Sequence, residues 1–171
     1  MREVNTRAIA LSLIGPLSAG LSGCYTAATP LLDDTNSVAP YATISFRDEH
    51  SAETTTLSRV GHSYAANSSD GRITMRFMAT DRPDWYVAEA GGPGVATATR
   101  SLFYAVVRVD LASNRAYTYQ SIGTAPDAMP GTHVCGQDVC IDDVKAYVAS
   151  AEATGDRGRI PDATYVISVS P

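Results

Sequence analysis

The stretch His133-Val134-Cys135-Gly136-Gln137-Asp138-Val139-Cys140 brings an imidazole and two thiols close together in the chain. Three chemistries are open to such a set: a disulfide, a metal site, or thiol exchange. Structural zinc sites use four ligands at recurring separations, and the spacing here fits none of them, with no fourth ligand evident. Redox-active pairs usually read Cys-x-x-Cys, whereas here four residues stand between the cysteines. The other histidines are His50 and His62. A catalytic nucleophile needs a base held beside it, and neither His50, His62 nor His133 falls in a recognisable nucleophile motif, so no catalytic residue is assigned.

Three further groups invite a chemical reading. Arg47-Asp48-Glu49-His50 offers two carboxylates and an imidazole for metal or acid–base work. Adjacent residues of an extended chain point to opposite faces, however, so no more than two can converge without a bend, and a solvated loop after the first strand is expected. Gly91-Gly92-Pro93-Gly94 lacks the Lys-Ser/Thr and the helix of a phosphate loop and reads as a crossing between strands. Trp85-Tyr86, beside Pro83, offers an aromatic ledge on which a sugar or peptide can stack, and these two are the candidate contact residues of a binding surface. Tyrosine is also a common strand former, and the competing expectation is that such rings simply line a sheet.

The N-terminus speaks to location. Arg2 and Arg7 precede an apolar run from Ala8 to Leu21, shorter than the roughly 20 residues a helix needs to cross a bilayer. Pro16 and Gly20 interrupt it, as in a signal segment rather than an anchor. The run ends in Leu21-Ser22-Gly23-Cys24, which resembles the lipobox of bacterial lipoproteins. That resemblance implies a diacylglycerol on the Cys24 sulfur, cleavage before Cys24, and acylation of the new N-terminus with a fatty acid such as palmitate. Two or more acyl chains, at about 0.8 kcal/mol per buried CH₂, hold a protein stably on a membrane. In Gram-negative lipoproteins an aspartate after the acylated cysteine commonly favours the inner membrane. Tyr25 stands there in this chain, which implies the outer membrane facing the periplasm. Export also implies an oxidising compartment for Cys135 and Cys140, the two cysteines left once Cys24 is acylated. A disulfide is therefore expected, worth about 2 kcal/mol because the loop it closes is short.

Charge limits the partners. The chain has 13 basic and 18 acidic residues, a net charge of −5, and its single lysine is Lys145. Nucleic-acid binding relies on clustered Lys and Arg, and none is expected here. Adhesion of the protein surface to anionic lipid is disfavoured for the same reason, leaving the lipid to hold the membrane.

These residues must be placed by a fold, and the pattern predicts one domain. Residues 1–23 form the signal peptide. Residues 24–40 lack a sustained period and read as a lipidated N-terminus and flexible tether, which would average roughly 20 to 24 Å end to end. Residues 41–171 form one globular domain. Short alternating segments rich in β-branched and aromatic residues predict strands near 41–46, 57–66, 72–79, 84–90, 101–110, 115–122 and 163–169. On that reading His62 is a half-buried strand histidine. Residues 102–109 are apolar on both faces, as in a central strand covered on each side. Asp142 as N-cap, Asp143 in the first turn, and Val144, Tyr147, Val148 and Ala151 at helical spacing predict one helix, ended by Gly155. The fold class is therefore α+β, mostly β: an antiparallel sheet or meander, one late helix packed on a face or plugging an end, and a final strand.

The functional expectation is a membrane-anchored envelope lipoprotein that binds an envelope protein, a peptide or a cell-wall glycan without catalysis. It requires neither cofactor nor metal. The alternative is a small periplasmic hydrolase or thiol-redox protein built on His62 or His133 with carboxylates or the cysteine pair.

Overall fold

A computed structural model describes residues 25–27, 29–68, 71–92, 102–119, 130–135, 138–156 and 161–171. The signal segment, Cys24 and the Pro93-Gly94 part of the glycine-rich crossing lie outside the described residues. The strands are β1 (Tyr25–Thr26), β2 (Thr43–Asp48), β3 (Thr55–Val60), β4 (Ser63–Ser68), β5 (Gly71–Ala79) and β6 (Trp85–Gly91). They continue as β7 (Leu102–Asp110), β8 (Arg115–Tyr119), β9 (Thr132–Cys135), β10 (Asp138–Ile141) and, after helix α1 (Val144–Asp156), β11 (Ala163–Ser170).

The protein is mostly β, as expected, and its antiparallel strands close on themselves. The ring order is β11-β2-β3-β4-β5-β6-β7-β8, and β11 completes it by pairing with both β2 and β8. Within the ring, chain neighbours from β2 to β8 are also spatial neighbours, so short turns do most of the work. Two turns carry non-glycine residues at positive φ, Asp84 (64°) and Asn114 (55°), residue types that tolerate this conformation through local side-chain hydrogen bonding.

The single strand expected over 57–66 is a hairpin. Gly61, at φ 63°, and His62 form a two-residue turn between β3 and β4, so His62 is exposed at a tip rather than half-buried in a strand. Alternation continues across the turn because Leu57 and Tyr64 both point inward, which hides the reversal.

Period-two patterning separates the two faces of the wall. One row faces the lumen and includes Phe46, Phe77, Ala88, Phe103, Ala105, Val107, Ala116, Tyr165 and Ile167. On β2, β3 and β5 the outward row is mainly hydroxylic or charged: Thr43 and Ser45, Thr56 and Ser58, Arg72, Thr74 and Arg76, with Val60 exposed among them and Met78 turned to the outer core. Hydroxyl pairs cross the strands there, Thr43 to Ser170 at 2.7 Å and Ser45 to Thr56 at 2.8 Å. This wall faces water, the reverse of a membrane-spanning barrel with its apolar outer band.

On β6, β7 and β8 most of the outward row is apolar and lies under a second layer, with Glu89 as a buried polar member. Trp85, Val87, Tyr104, Val106 and Tyr119 pack against Tyr25, Val139, Ile141, Tyr147, Val148 and Ala151. That layer consists of α1 and a three-stranded sheet in the order β1-β10-β9. The expected helix is present on one face, and β7 is covered on both sides. Its cap is shifted by one residue: Asp143 accepts from the N–H groups of Lys145 (2.9 Å) and Ala146 (3.2 Å), while Asp142 turns to His133. The helix also runs through Gly155 to Asp156. Gly131, at φ 78°, receives the N–H of Asp142 on its carbonyl at 2.8 Å, and an added Cβ would meet the Asp143 carbonyl.

The flexible tether expected over residues 24–40 is corrected from Tyr25 onward. Tyr25, Thr26, Ala27 and Leu32 are buried, and β1 pairs in parallel with β10. The Tyr25 ring rests 5.0 Å from that of Tyr147. Further along, the N–H of Leu32 donates to the buried Glu89 carboxylate (3.3 Å), the N–H of Leu31 to the Tyr104 hydroxyl (3.0 Å), and the Arg76 guanidinium to Asp34 (2.7 Å). The apolar residues in this segment are too irregularly spaced to suggest an element, yet they dock individually. The segment is a strap laid across the barrel.

Candidate functional site

The lumen is the concavity this topology builds, and the strap closes one end of it. Because β4 begins only at Ser63, the edge of β5 beyond Met75 lacks a β4 partner, and Val38 takes it by donating its N–H to the Phe77 carbonyl at 2.7 Å. Three residues on, the buried Tyr64 hydroxyl bonds both backbone groups of Tyr41, accepting from its N–H and donating to its carbonyl, each at 3.1 Å. Burial raises the Tyr64 phenol above its usual range. The Arg59 guanidinium donates to the Ala39 carbonyl at 3.3 Å. The chain thus crosses the strap end from Val38 to Ala42, where the Ala42 N–H joins Ser170. At the other end lies the connection 49–54.

Inside, the filling is uneven. Leu57 and Tyr64 are fully buried, and Ala88, Ala105, Val107, Ala116 and Ile167 nearly so. The larger inward side chains of Ile44, Phe46, Met75, Phe77, Tyr86, Phe103 and Tyr165 keep part of their surface accessible. Small residues explain this: Ala88 lies directly opposite Ala105, and Ala116 opposite Tyr165. An eight-stranded barrel is just wide enough for side chains to fill it or for one small ligand to enter, and here the alanines are themselves covered, at 4–7% exposure. The rings meet edge to face, Phe46 with Tyr165 at 6.0 Å and Phe77 with Tyr86 at 6.3 Å. Burial, with the Asp48 carboxylate as the smaller contribution, pushes the Tyr165 phenol up to about 12.

Trp85 and Tyr86 do not share a surface. They are neighbours on β6 and so face opposite sides of the wall. Trp85 is 5% exposed, stacked on Tyr119 at 5.3 Å with the Arg82 guanidinium 5.0 Å over its ring. It belongs to the outer core, and its expected role in a solvent-facing contact is withdrawn. Tyr86 points into the lumen, half-buried, its phenol raised chiefly by burial.

Cys135 and Cys140 are joined, with sulfurs 2.07 Å apart, and staple β9 to β10. The buried Thr26 hydroxyl lies 3.8 Å from the Cys140 sulfur, so the staple also abuts β1. His133, opposite Cys140 on β9, pairs with Asp142 at 2.6 Å on an exposed surface. His50 sits in the β2–β3 connection, where its N–H donates to Asp48 at 2.8 Å, and Glu49 turns away to Arg115 at 2.6 Å. Among the described residues no three His, Cys, Asp or Glu side chains are grouped to hold a metal ion. The lumen itself escaped sequence reasoning; its available signal was the recurrence of alanine on the inward rows of β6, β7 and β8, which becomes meaningful only once closure is known.

No protein-family model matches the chain, and neither a curated protein nor a solved structure shows significant similarity to it. The lumen is therefore interpreted from its own chemistry.

Proposed function

We propose that this protein is a lipid-anchored lipoprotein of the cell envelope, carried by Cys24 on the periplasmic side of an outer membrane, and that it binds a small apolar molecule inside its barrel without transforming it. One observation carries the binding reading. The outer side of the β6–β7 wall buries Val87, Tyr104 and Val106 to 0% exposure, while the inner row keeps Tyr86 and Phe103 partly accessible around the buried Ala88, Ala105 and Val107. Partly accessible aromatic side chains on the inward face of a barrel support this reading, because small-molecule sites are lined mainly by apolar and aromatic groups. An envelope protein, peptide or cell-wall glycan on an open sheet face is the less favoured reading, because the outer apolar face of β6–β8 is covered by α1 and the three-stranded sheet.

Two measurements test this. Metabolic labelling with a clickable fatty acid should mark the wild type and not Cys24→Ser; an unlabelled wild type in its native host would remove the anchor. Native mass spectrometry of protein purified from membranes in a mild detergent should show a bound small molecule released on unfolding. If only the bare chain is found, and none of a panel of apolar compounds binds, the barrel is not a carrier.

A further inference from the structure

We infer that the Cys135–Cys140 bridge is a site of thiol–disulfide exchange, opened by an incoming thiolate at the Cys135 sulfur with Cys140 as the leaving group. This is independent of what the barrel binds. The two ends of the bridge have different surroundings: Cys140 is 4% exposed and pairs with Thr26 of β1, whereas Cys135, the last residue of β9, is only half-buried. A thiolate must reach the sulfur it attacks, so access selects Cys135.

Exchange also depends on how well the departing sulfur is received. Two groups stand at Cys140. The Thr26 hydroxyl, itself fully buried, is 3.8 Å from the Cys140 sulfur, close enough to donate to the thiolate that forms. His133 is the residue directly opposite Cys140, and paired residues of neighbouring strands project from the same face. Asp142 holds Nδ1 of that ring at 2.6 Å, so Nε2 is the nitrogen through which the ring exchanges a proton. A bridge that only staples two strands needs neither group.

As the thiolate bonds to the Cys135 sulfur, the Cys135–Cys140 bond breaks and its electron pair leaves on Cys140. Protonated His133 then passes its Nε2 proton to the Cys140 thiolate. With a dithiol reductant, the second reductant thiol displaces Cys135, closes the reductant's own disulfide and gives up its proton to the Cys135 sulfur. The cysteines are five positions apart, so opening their short loop returns little chain entropy to the unfolded state, and the reduced protein stays folded and able to reclose.

Full-length protein is incubated with reduced glutathione at neutral pH, quenched with N-ethylmaleimide and mapped by mass spectrometry. Glutathione should be found on Cys135 and the alkyl group on Cys140, roughly tenfold or more above the reverse arrangement. His133→Gln, at an exposed position, should slow formation of this mixed disulfide roughly fivefold without lowering the melting temperature, and the close-shaped Thr26→Val should slow it by a smaller factor. Glutathione on Cys140, an even division between the two sulfurs, no adduct at all, or an unchanged rate in folded His133→Gln would each overturn the assignment and leave the bridge an inert staple. The first three are read on the wild type and need no variant to fold.

Discussion

The two sides of the β6–β7 wall are made from the same strands, one residue apart, and they have opposite fates. Outward, Trp85, Val87, Tyr104 and Val106 meet a helix and a small sheet and lose nearly all contact with solvent. Inward, Ala88 and Ala105 are buried in a second cluster with Val107, Ala116 and Ile167, while Tyr86 and Phe103 on the same row stay partly accessible. Both sides contribute buried apolar area, the outer side through larger fully buried side chains and the inner side through smaller ones flanked by partly accessible rings. Buried apolar area stabilises by about 25 cal/mol per Å², so open inner rings represent stability forgone. On the proposed binding reading, the pleat of a single strand separates the side that seals the fold from the side that meets a ligand.

The sharpest way to break this contrast is to truncate neighbouring rings. Trp85→Ala should cost roughly 3–5 kcal/mol, as for a large aromatic removed from a packed core. Tyr86→Ala should cost about 1–2 kcal/mol, because its ring is already half open. Urea denaturation of both variants checks this, and equal losses would mean that the lumen is an ordinary core.

A second test moves to the polar centre of the sealed side. The Glu89 carboxylate accepts from the Tyr104 hydroxyl at 2.6 Å and from the Leu32 N–H. Glu89→Ala leaves these buried donors without that acceptor and should cost about 1–3 kcal/mol. It should also loosen the strap, making residues 29–40 the first site of limited proteolysis. Cleavage elsewhere, with the strap still protected, would show that Val38 and Tyr41 hold it unaided.

Smaller still is the disulfide. Reduction should lower stability by about 2 kcal/mol and leave the barrel strands intact, since the bridge lies wholly within the outer layer. Circular dichroism before and after reduction would detect any wider role.

The mildest effect is alkaline. Tyr165 is raised to about 12 in the folded protein against an ordinary 10, so the folded state holds its proton more tightly. Its contribution is complete below pH 10 and is lost as pH rises from 10 through about 12. An ultraviolet titration should show this phenol ionising late, with stability declining in the same window. Tyr165→Phe should remove that part of the decline.

Much of this architecture could be seen in the chain beforehand, for physical reasons that also explain what could not. Residues 102–109 are apolar on both faces, and a strand with two apolar faces must be covered twice. Val144, Tyr147, Val148 and Ala151 repeat at helical spacing, and α1 buries that stripe. Alternation in residues 72–79 assigned the inward row of β5 correctly. Closure was invisible because β11 pairs with strands far away in sequence, and no local pattern encodes which edge meets which. β1, β9 and β10 were missed because two to four residues are too few to display a period. Trp85 was placed on the wrong side for a related reason: an aromatic pair on a strand looks like one patch in sequence and is divided between two faces in space.

The early start of β1 has a mechanical consequence. Tyr25 is already fixed by its strand and its ring contact, and Cys24 is the residue just before it. If Cys24 carries a lipid as proposed, that anchor would have almost no slack, like a rivet rather than a leash. The barrel's tumbling would be coupled to the slow wobble of the lipid it hangs from, and every copy would meet the bilayer in one attitude. Lengthening this junction by a few glycines would restore free rotation without altering a single contact in the barrel, separating what the body binds from how it is held.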